Sequence, residues 1–421
     1  MSDYCLRGVT VYDPYHREVA RRDLCIVNGR IAETPSPDAI VIAAEDYIVS
    51  PGFIDAHVHL RDPGFPEKED IISGTRAGAR GGFTVLATMP NTRPVTDSPE
   101  LVRYQIEKAE EAGYCQVIPY AAASLGESGE EIAPLAELFA AGAGHVTDDG
   151  LPVRTAGLMR QAMEEAWRHG RVVSDHCEDK TLTQGGVMNE GALSRELNVK
   201  GLPAVAEEIN VARNILLSKH LNIPTHISHV STAGSIEMVR EAKAQGLKVT
   251  SEVCPHHFAL NDELLRSRDA NYRMYPPLRS EADRQACIRG LKDGTIDLIA
   301  TDHAPHTAAE KVDFTTAMHG IVGLETCLPL CYKILVQEEG MEILDVLEKL
   351  TVAPARFFSL PLDGLEVGAS ADLCLIDLNT AYRFDREQML SRSRNTPFHN
   401  WEFQARVLMT WRRGKVTYAG L

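Results

Sequence analysis

The stretch FIDAHVHLRDPG, Phe53–Gly64, closes an apolar run with two imidazoles one residue apart and an arginine two residues further on. In an extended strand successive side chains point to opposite faces, so His57 and His59 share one face and Val58 takes the other. Two convergent nitrogen donors at a strand end suit a metal ion. A half-buried, hydrogen-bonded His accounts equally well for either ring taken alone, so the decision rests on what the rest of the chain brings to the same place.

Runs of the same kind recur at TVLATM (84–89), QVIPYAA (116–122), GHVTDD (144–149), RVVSDHC (171–177), PTHISHV (224–230), KVTSEVC (248–254) and DLIATDH (297–303), making eight with the first. Segments with helical spacing separate them. SPELVRYQIEKAEEAG has Ser98 as its N-cap and Gly113 as its stop, and STAGSIEMVREAKAQG ends at Gly246. Strand then helix, eight times, predicts an α/β fold of the (β/α)8 TIM-barrel type. A doubly wound open sheet is the structural rival, but no glycine-rich dinucleotide fingerprint follows any of these strands.

The ends of the chain read differently. CLRGVTVYDPYHREVARRDLCIVNGRIAE, and VGASADLCLIDLNTAYRFD through ARVLMTWRRGKVTYAG, alternate and turn in hairpin fashion around NGR and RRGK. They predict a small β-sandwich-like domain built from residues 1–50 and 360–421, flanking a barrel of residues 51–359.

A chain of 421 residues with 44% hydrophobic content exceeds one compact domain and buries a large core. Its formal charge of -16 excludes nucleic acid and anionic membranes as partners, and a small anionic substrate would need local cations. No apolar run of about 18 residues occurs, and MSDYCLRGVTVYD lacks the basic start and apolar stretch of a signal peptide. The expectation is a cytoplasmic protein without a membrane partner. Nine cysteines, with no CxxC pair, fit reduced packing thiols better than a disulfide framework.

A barrel delivers the C-terminal ends of all its strands to one face, where active sites lie. Here those ends carry His57 and His59, Asp148 and Asp149, His176, His226 and His229, and Asp302 and His303. Imidazole and carboxylate without thiolate suit Zn²⁺ first, and would accept Mn²⁺, Co²⁺ or Ni²⁺.

The motifs PGFIDAHVHLRDPG, MPNT, TDDG, DHCED, HISHVST, EVCPHHF, PPLR, TDHAPHTAAEK, GIVGLET and NTPF, running from about Pro51 to the end, resemble those of the dihydroorotase branch of the amidohydrolase superfamily. The resemblance implies a zinc-dependent cyclic amide hydrolase that reversibly closes N-carbamoyl-L-aspartate to (S)-dihydroorotate in pyrimidine biosynthesis. It makes His57, His59 and Asp302 ligands of one metal, and Asp149, His176 and His229 ligands around it or around a second. It selects Asp149 over Asp148 and His229 over His226, leaving the unselected pair to support the ligands or to pack. Hydantoinases, allantoinases and ureases place a carbamylated Lys at the end of strand four, where this chain has HVTDDG and no Lys. One or two zinc ions per subunit fit that carboxylate.

In the same resemblance Asp302 also moves the proton between water and the leaving ring nitrogen. His59, Arg61, Asn91, Tyr275, His306, His319 and Gly320 take the substrate positions. The chain departs from the family in having Tyr275 where Asn is usual, and Met318, His319 and Gly320 where Pro-Phe-Gly or a similar Asn-Gly is common. HTAAEKVDFTTAMHG (306–320) reads as a lid. The partners implied are the small-molecule substrate, a second copy of the chain in a homodimer, and aspartate transcarbamoylase. The rival readings are another cyclic amidohydrolase of hydantoinase or allantoinase type, and a catalytically silent scaffold for aspartate transcarbamoylase.

Overall fold

The short β-branched runs form strands because each is buried on both faces, and the segments between them form helices because each has one apolar stripe to lay on that core. The computed structural model describes residues 2–420. Its barrel strands are Phe53–Val58, Phe83–Thr88, Gln116–Pro119 continued by Ala121–Ala122, Val146–Thr147, Ser174–Asp175, Thr225–Ile227, Val249–Val253 and Leu298–Ile299. Neighbours pair in parallel, with Val85 opposite Gln116, Val146 opposite Ala121, Ser174 opposite His226 and Glu252 opposite Leu298. Bridges between Val146 and Val173 and between Val58 and His303 close the ring. The fold is the (β/α)8 barrel that the eight runs predict.

Capping chemistry sets the helix starts. Asp70 accepts from the Ser73 amide at 2.7 Å and Ser73 Oγ accepts from the Asp70 amide at 3.2 Å, opening Ile71–Arg80. Ser98 stands at the N-cap of Pro99–Ala112 as expected, but its side chain makes no capping hydrogen bond; Pro99 at the first position starts the helix instead. Gly113 ends that helix at φ 71°, a conformation that favours glycine. Phe53 and Phe83, fully buried, meet edge to face at 5.7 Å between the first two strands.

Both termini contribute to one eight-stranded sheet. Ile48–Pro51 pairs antiparallel with Leu373–Asp377, which pairs with Arg406–Arg412, while Tyr4–Asp13 joins Glu18–Val27 to the other side. Its hairpins turn at Asn28–Gly29 (φ 51° and 80°) and Arg413–Gly414 (φ 49° and 74°), the paired left-handed residues of the tight turn that suits twisted strands. Leu6, Val11, Leu24, Ile26 and Trp411 fill the core behind this sheet. After Asp377 the chain also returns to the mouth of the barrel. There Asn395 donates to the carbonyls of Ala304 and Gly320 and accepts from the His306 amide at 3.0 Å.

Candidate metal centre and active site

Each ligand candidate sits at or just past the C-terminal end of a barrel strand, so its side chain turns into the mouth of the ring. Asp55 ties the first and last strands together, accepting from the amides of His57 and Thr301 and from Thr301 Oγ1 at 2.6 Å. Three residues of this rim hold left-handed backbone: Arg61 at φ 60°, His229 at 30° and Asp302 at 46°. Such conformations cost of order 1 to 3 kcal/mol for a residue with a side chain and persist where the surroundings over-determine them.

Asp149 stands at the centre of the cluster. Its Oδ2 lies 3.3 Å from His57 Nε2 and 3.5 Å from His59 Nε2, while its Oδ1 lies 3.2 Å from His229 Nε2 and 3.5 Å from His176 Nδ1. Asp302 Oδ1 closes the first group, 2.9 Å from His59 Nε2 and 3.6 Å from His57 Nε2. The donors therefore form two positions that share one carboxylate, His57, His59 and Asp149 on one side and Asp149, His176 and His229 on the other. All are buried. Burial works to raise both carboxyls. At Asp149 the charge of His57 and hydrogen bonds to His176 and His229 overcome it, and at Asp302 the hydrogen bond to His59 and the fields of the neighbouring imidazoles do so. Both are held below the ordinary carboxylate range and stay anionic, as a cation requires.

The neighbours in sequence have other partners. Asp148 accepts from the Ala123 and Ser124 amides and from Ser124 Oγ at 2.7 Å, shaping the loop after strand three. His226 lies 2.8 Å from Thr250 Oγ1 and 3.3 Å from Glu252. His303 faces Glu69 at 3.5 Å, outside the donor cluster.

A cleft of about 740 Å³ opens above the cluster. His59, Arg61, Asn91, Tyr275, His306, His319 and Gly320 all line it, together with Asp149, His176 and Asp302. His57 and His229 lie deeper. Asn91 Oδ1 accepts from His59 Nδ1 at 2.9 Å, and Arg61 reaches the Pro305 carbonyl at 3.3 Å and His306 Nε2 at 3.5 Å. Burial lowers the Arg61 guanidinium to about 10, which leaves it charged at neutral pH. Burial and the charge of Arg61 push His306 down to about 2, so its ring is neutral. Lys68, Arg93, Lys180 and Arg273 add further cations to the walls. These supply the local positive charge that an acidic chain needs to hold a small anion. The segment 306–320 forms one wall, tethered where the buried Lys311 Nζ donates to the carbonyls of Arg273, Met318 and Gly320.

Sequence reasoning did not single out Glu252, Glu178, Asp55 or Arg273. Glu252 carried a readable signal, since an acidic side chain inside a barrel strand is rarely buried without a partner. Arg273 is 3% exposed, and only its Nη2 finds a partner among the described residues, His319 Nε2 at 2.8 Å.

Comparison with known proteins agrees with this architecture. The fold resembles L-hydantoinase from Arthrobacter aurescens, with TM-score 0.87 and 22% identity over 100% of this chain and 97% of that one. It also resembles dihydropyrimidinase from Brevibacillus agri, with TM-score 0.84 and 20% identity over 99% and 95%. Residues 46–235 match the family described as Dihydro-orotase-like. The chain is 45% identical to the dihydroorotase of Acetivibrio thermocellus over 98% of both chains, and 47% identical to that of Pelotomaculum thermopropionicum over 93% of both. At that identity across nearly the whole length, the chain belongs to the dihydroorotase family.

Proposed function

We propose that the protein is a zinc-dependent dihydroorotase, interconverting N-carbamoyl-L-aspartate and (S)-dihydroorotate. The observation that carries this reading is a charged Arg61 lining the same cleft as Asp302 and the two imidazole-carboxylate positions. An anion clamp beside a metal centre suits a cyclic amide that bears a carboxylate.

His57, His59, Asp149 and Asp302 would hold one zinc ion, and Asp149, His176 and His229 a second. Zinc bound there supplies Lewis acidity toward the amide carbonyl and makes water a competent nucleophile near neutral pH. Asp302 would take a proton from the attacking water and return it to the ring nitrogen as the amide bond breaks, one carboxylate acting first as base and then as acid. Arg61 holds the substrate carboxylate, and His59 orients Asn91 so that its amide group donates to the same anion. The neutral His306 ring and the backbone of Gly320 complete that side.

The same proposal divides the chain into a small β domain of residues 1–50 and 360–421 and a barrel of residues 51–359, and places the protein in the cytoplasm. No helix among the described residues is long and apolar enough to cross a membrane. A homodimer and an association with aspartate transcarbamoylase belong to it as well. Val205, Ile209 and Leu216, exposed on one face of the helix Val205–Leu221, offer an apolar surface for a second copy.

The test is the zinc content of the purified protein measured alongside its turnover of dihydroorotate, hydantoin and dihydrouracil. Bound zinc with a preference for dihydroorotate is the expected result. Faster turnover of the uncharged rings would assign the chain to a different cyclic amide, and bound zinc without turnover of any ring would make it a silent scaffold.

A further inference from the structure

A metal-binding imidazole usually passes its second N–H to a carboxylate, which fixes the tautomer and the ring angle. Both positions described above have such a carboxylate, but the two are held differently. Behind His57 stands Glu252, fully buried, with its other oxygen turned to His226. Behind His176 stands Glu178, whose Oε2 lies 3.3 Å from His176 Nε2.

Glu178 is held from the cleft side. Its Oε1 accepts a hydrogen bond from the Tyr275 hydroxyl, and Lys180 Nζ reaches its Oε2 at 2.6 Å and the Tyr275 oxygen at 3.4 Å. The Tyr275 ring also lies flat against His176, 8° from parallel with centroids 5.5 Å apart. His319 packs on the Tyr275 ring at 4.8 Å and is itself fixed by Arg273. Tyr275 therefore touches His176 twice, through Glu178 and through its ring. An Asn at this position has no ring to lay on the imidazole. The hydroxyl that the substrate would need is already committed to Glu178.

We propose that Tyr275 is a positioning residue, setting the affinity of the metal position formed by Asp149, His176 and His229 through Glu178 and the His176 ring. The inference rests on the reading of the protein as a metal-dependent cyclic amidohydrolase. It replaces a direct Tyr275 contact with substrate.

The experiment titrates metal-free protein with zinc against a chromophoric chelator, for the wild type, Tyr275→Phe, Tyr275→Asn and Glu178→Gln, and measures kinetics on dihydroorotate at saturating zinc. The wild type binds two equivalents. Tyr275→Phe, which keeps the ring, retains the first equivalent and binds the second roughly tenfold to hundredfold more weakly, the range for a lost outer partner of a metal ligand. Tyr275→Asn and Glu178→Gln weaken the second equivalent at least as much. Once zinc saturates, Tyr275→Phe keeps a KM for dihydroorotate within about twofold of wild type, because no ground-state contact with substrate has been lost. Wild-type affinity for both equivalents in Tyr275→Phe, above all with a raised KM, would return Tyr275 to the substrate and overturn the proposal. So would a wild type that binds a single equivalent, or equal weakening of both. A protein that binds no zinc and leaves dihydroorotate intact would instead sink the functional reading.

Discussion

His57 Nδ1 donates to Glu252 Oε1 at 2.7 Å, and neither residue has exposed surface. With Nε2 turned toward Asp149 and Asp302, this hydrogen bond settles which nitrogen of His57 is free to bind metal. Glu252→Gln keeps an oxygen acceptor but removes its charge, making the imidazole a poorer donor. Zinc affinity at the first position should fall roughly tenfold to hundredfold, read by competition with a chelator; an unchanged dissociation constant would reduce Glu252 to a packing residue.

Asp302 lies against His59 and lines the cleft, a position compatible with the proton shuttle proposed for it. Asp302→Asn preserves the shape and loses the base, so kcat should fall by roughly 10²- to 10⁴-fold. Steady-state rates measured on metal-loaded protein check this. Near-normal turnover would leave Asp302 as a ligand alone.

The eight strands and the terminal hairpins were legible because short, nearly continuous apolar runs and the NGR and RRGK turns are local signals. The His57 and His59 pair was legible for the same reason. Choosing Asp149 over Asp148 was not, since adjacent residues differ only in which way the strand end turns them. Glu252 and Glu178 were illegible as partners because their meaning lies across the barrel: 195 residues separate Glu252 from His57, and 97 separate Glu178 from Tyr275. The resemblance made Tyr275 a substrate contact, while the packing of its ring on His176 appears only in three dimensions.

Acid should destabilise the fold through His145. Burial pushes this ring down to about 3, partly opposed by its hydrogen bond to the Phe357 carbonyl, with the charges of Arg171 and His226 adding to the fall. The neutral ring donates from Nε2 to Phe357 at 2.8 Å and accepts at Nδ1 from the Val172 amide at 3.3 Å. The folded value lies below the unfolded one near 6.5, so the unfolded chain takes up the proton first as pH falls. This stability is complete above about pH 6.5 and is lost toward pH 3 at up to about 1.4 kcal/mol per unit. Between pH 7 and 5 the wild type should lose up to about 2 kcal/mol more unfolding free energy than His145→Gln, measured in urea. Equal losses in the two proteins would remove His145 as the cause.

Ring closure consumes a carboxylate and a proton, so the position of equilibrium must follow pH. Each unit changes the ratio of dihydroorotate to carbamoyl aspartate about tenfold, or ~1.4 kcal/mol. Condensation gains in acid and hydrolysis in alkali. A ratio that stays flat from mildly acidic to mildly alkaline buffer would identify a different substrate pair.

If Arg61 clamps the substrate anion as proposed, it sets which ring the cleft prefers. Its guanidinium is charged at neutral pH, reaches the neutral His306 ring at 3.5 Å, and lines the cleft with His59 and Asn91. Arg61→Met keeps much of the side-chain length and removes every donor. For dihydroorotate the loss in kcat/KM should be about 1.5 to 3 kcal/mol, roughly tenfold to more than a hundredfold, the scale of hydrogen bonds to a charged group. Dihydrouracil has the same reacting amide and no carboxylate, so its kcat/KM should hardly change. The ratio of the two specificity constants therefore isolates the clamp from any general disturbance of the metal centre, which would slow both substrates together. Equal losses on both would show that Arg61 serves the structure of the rim, where it holds the Pro305 carbonyl, and that the substrate anion is held by another of the cleft's cations.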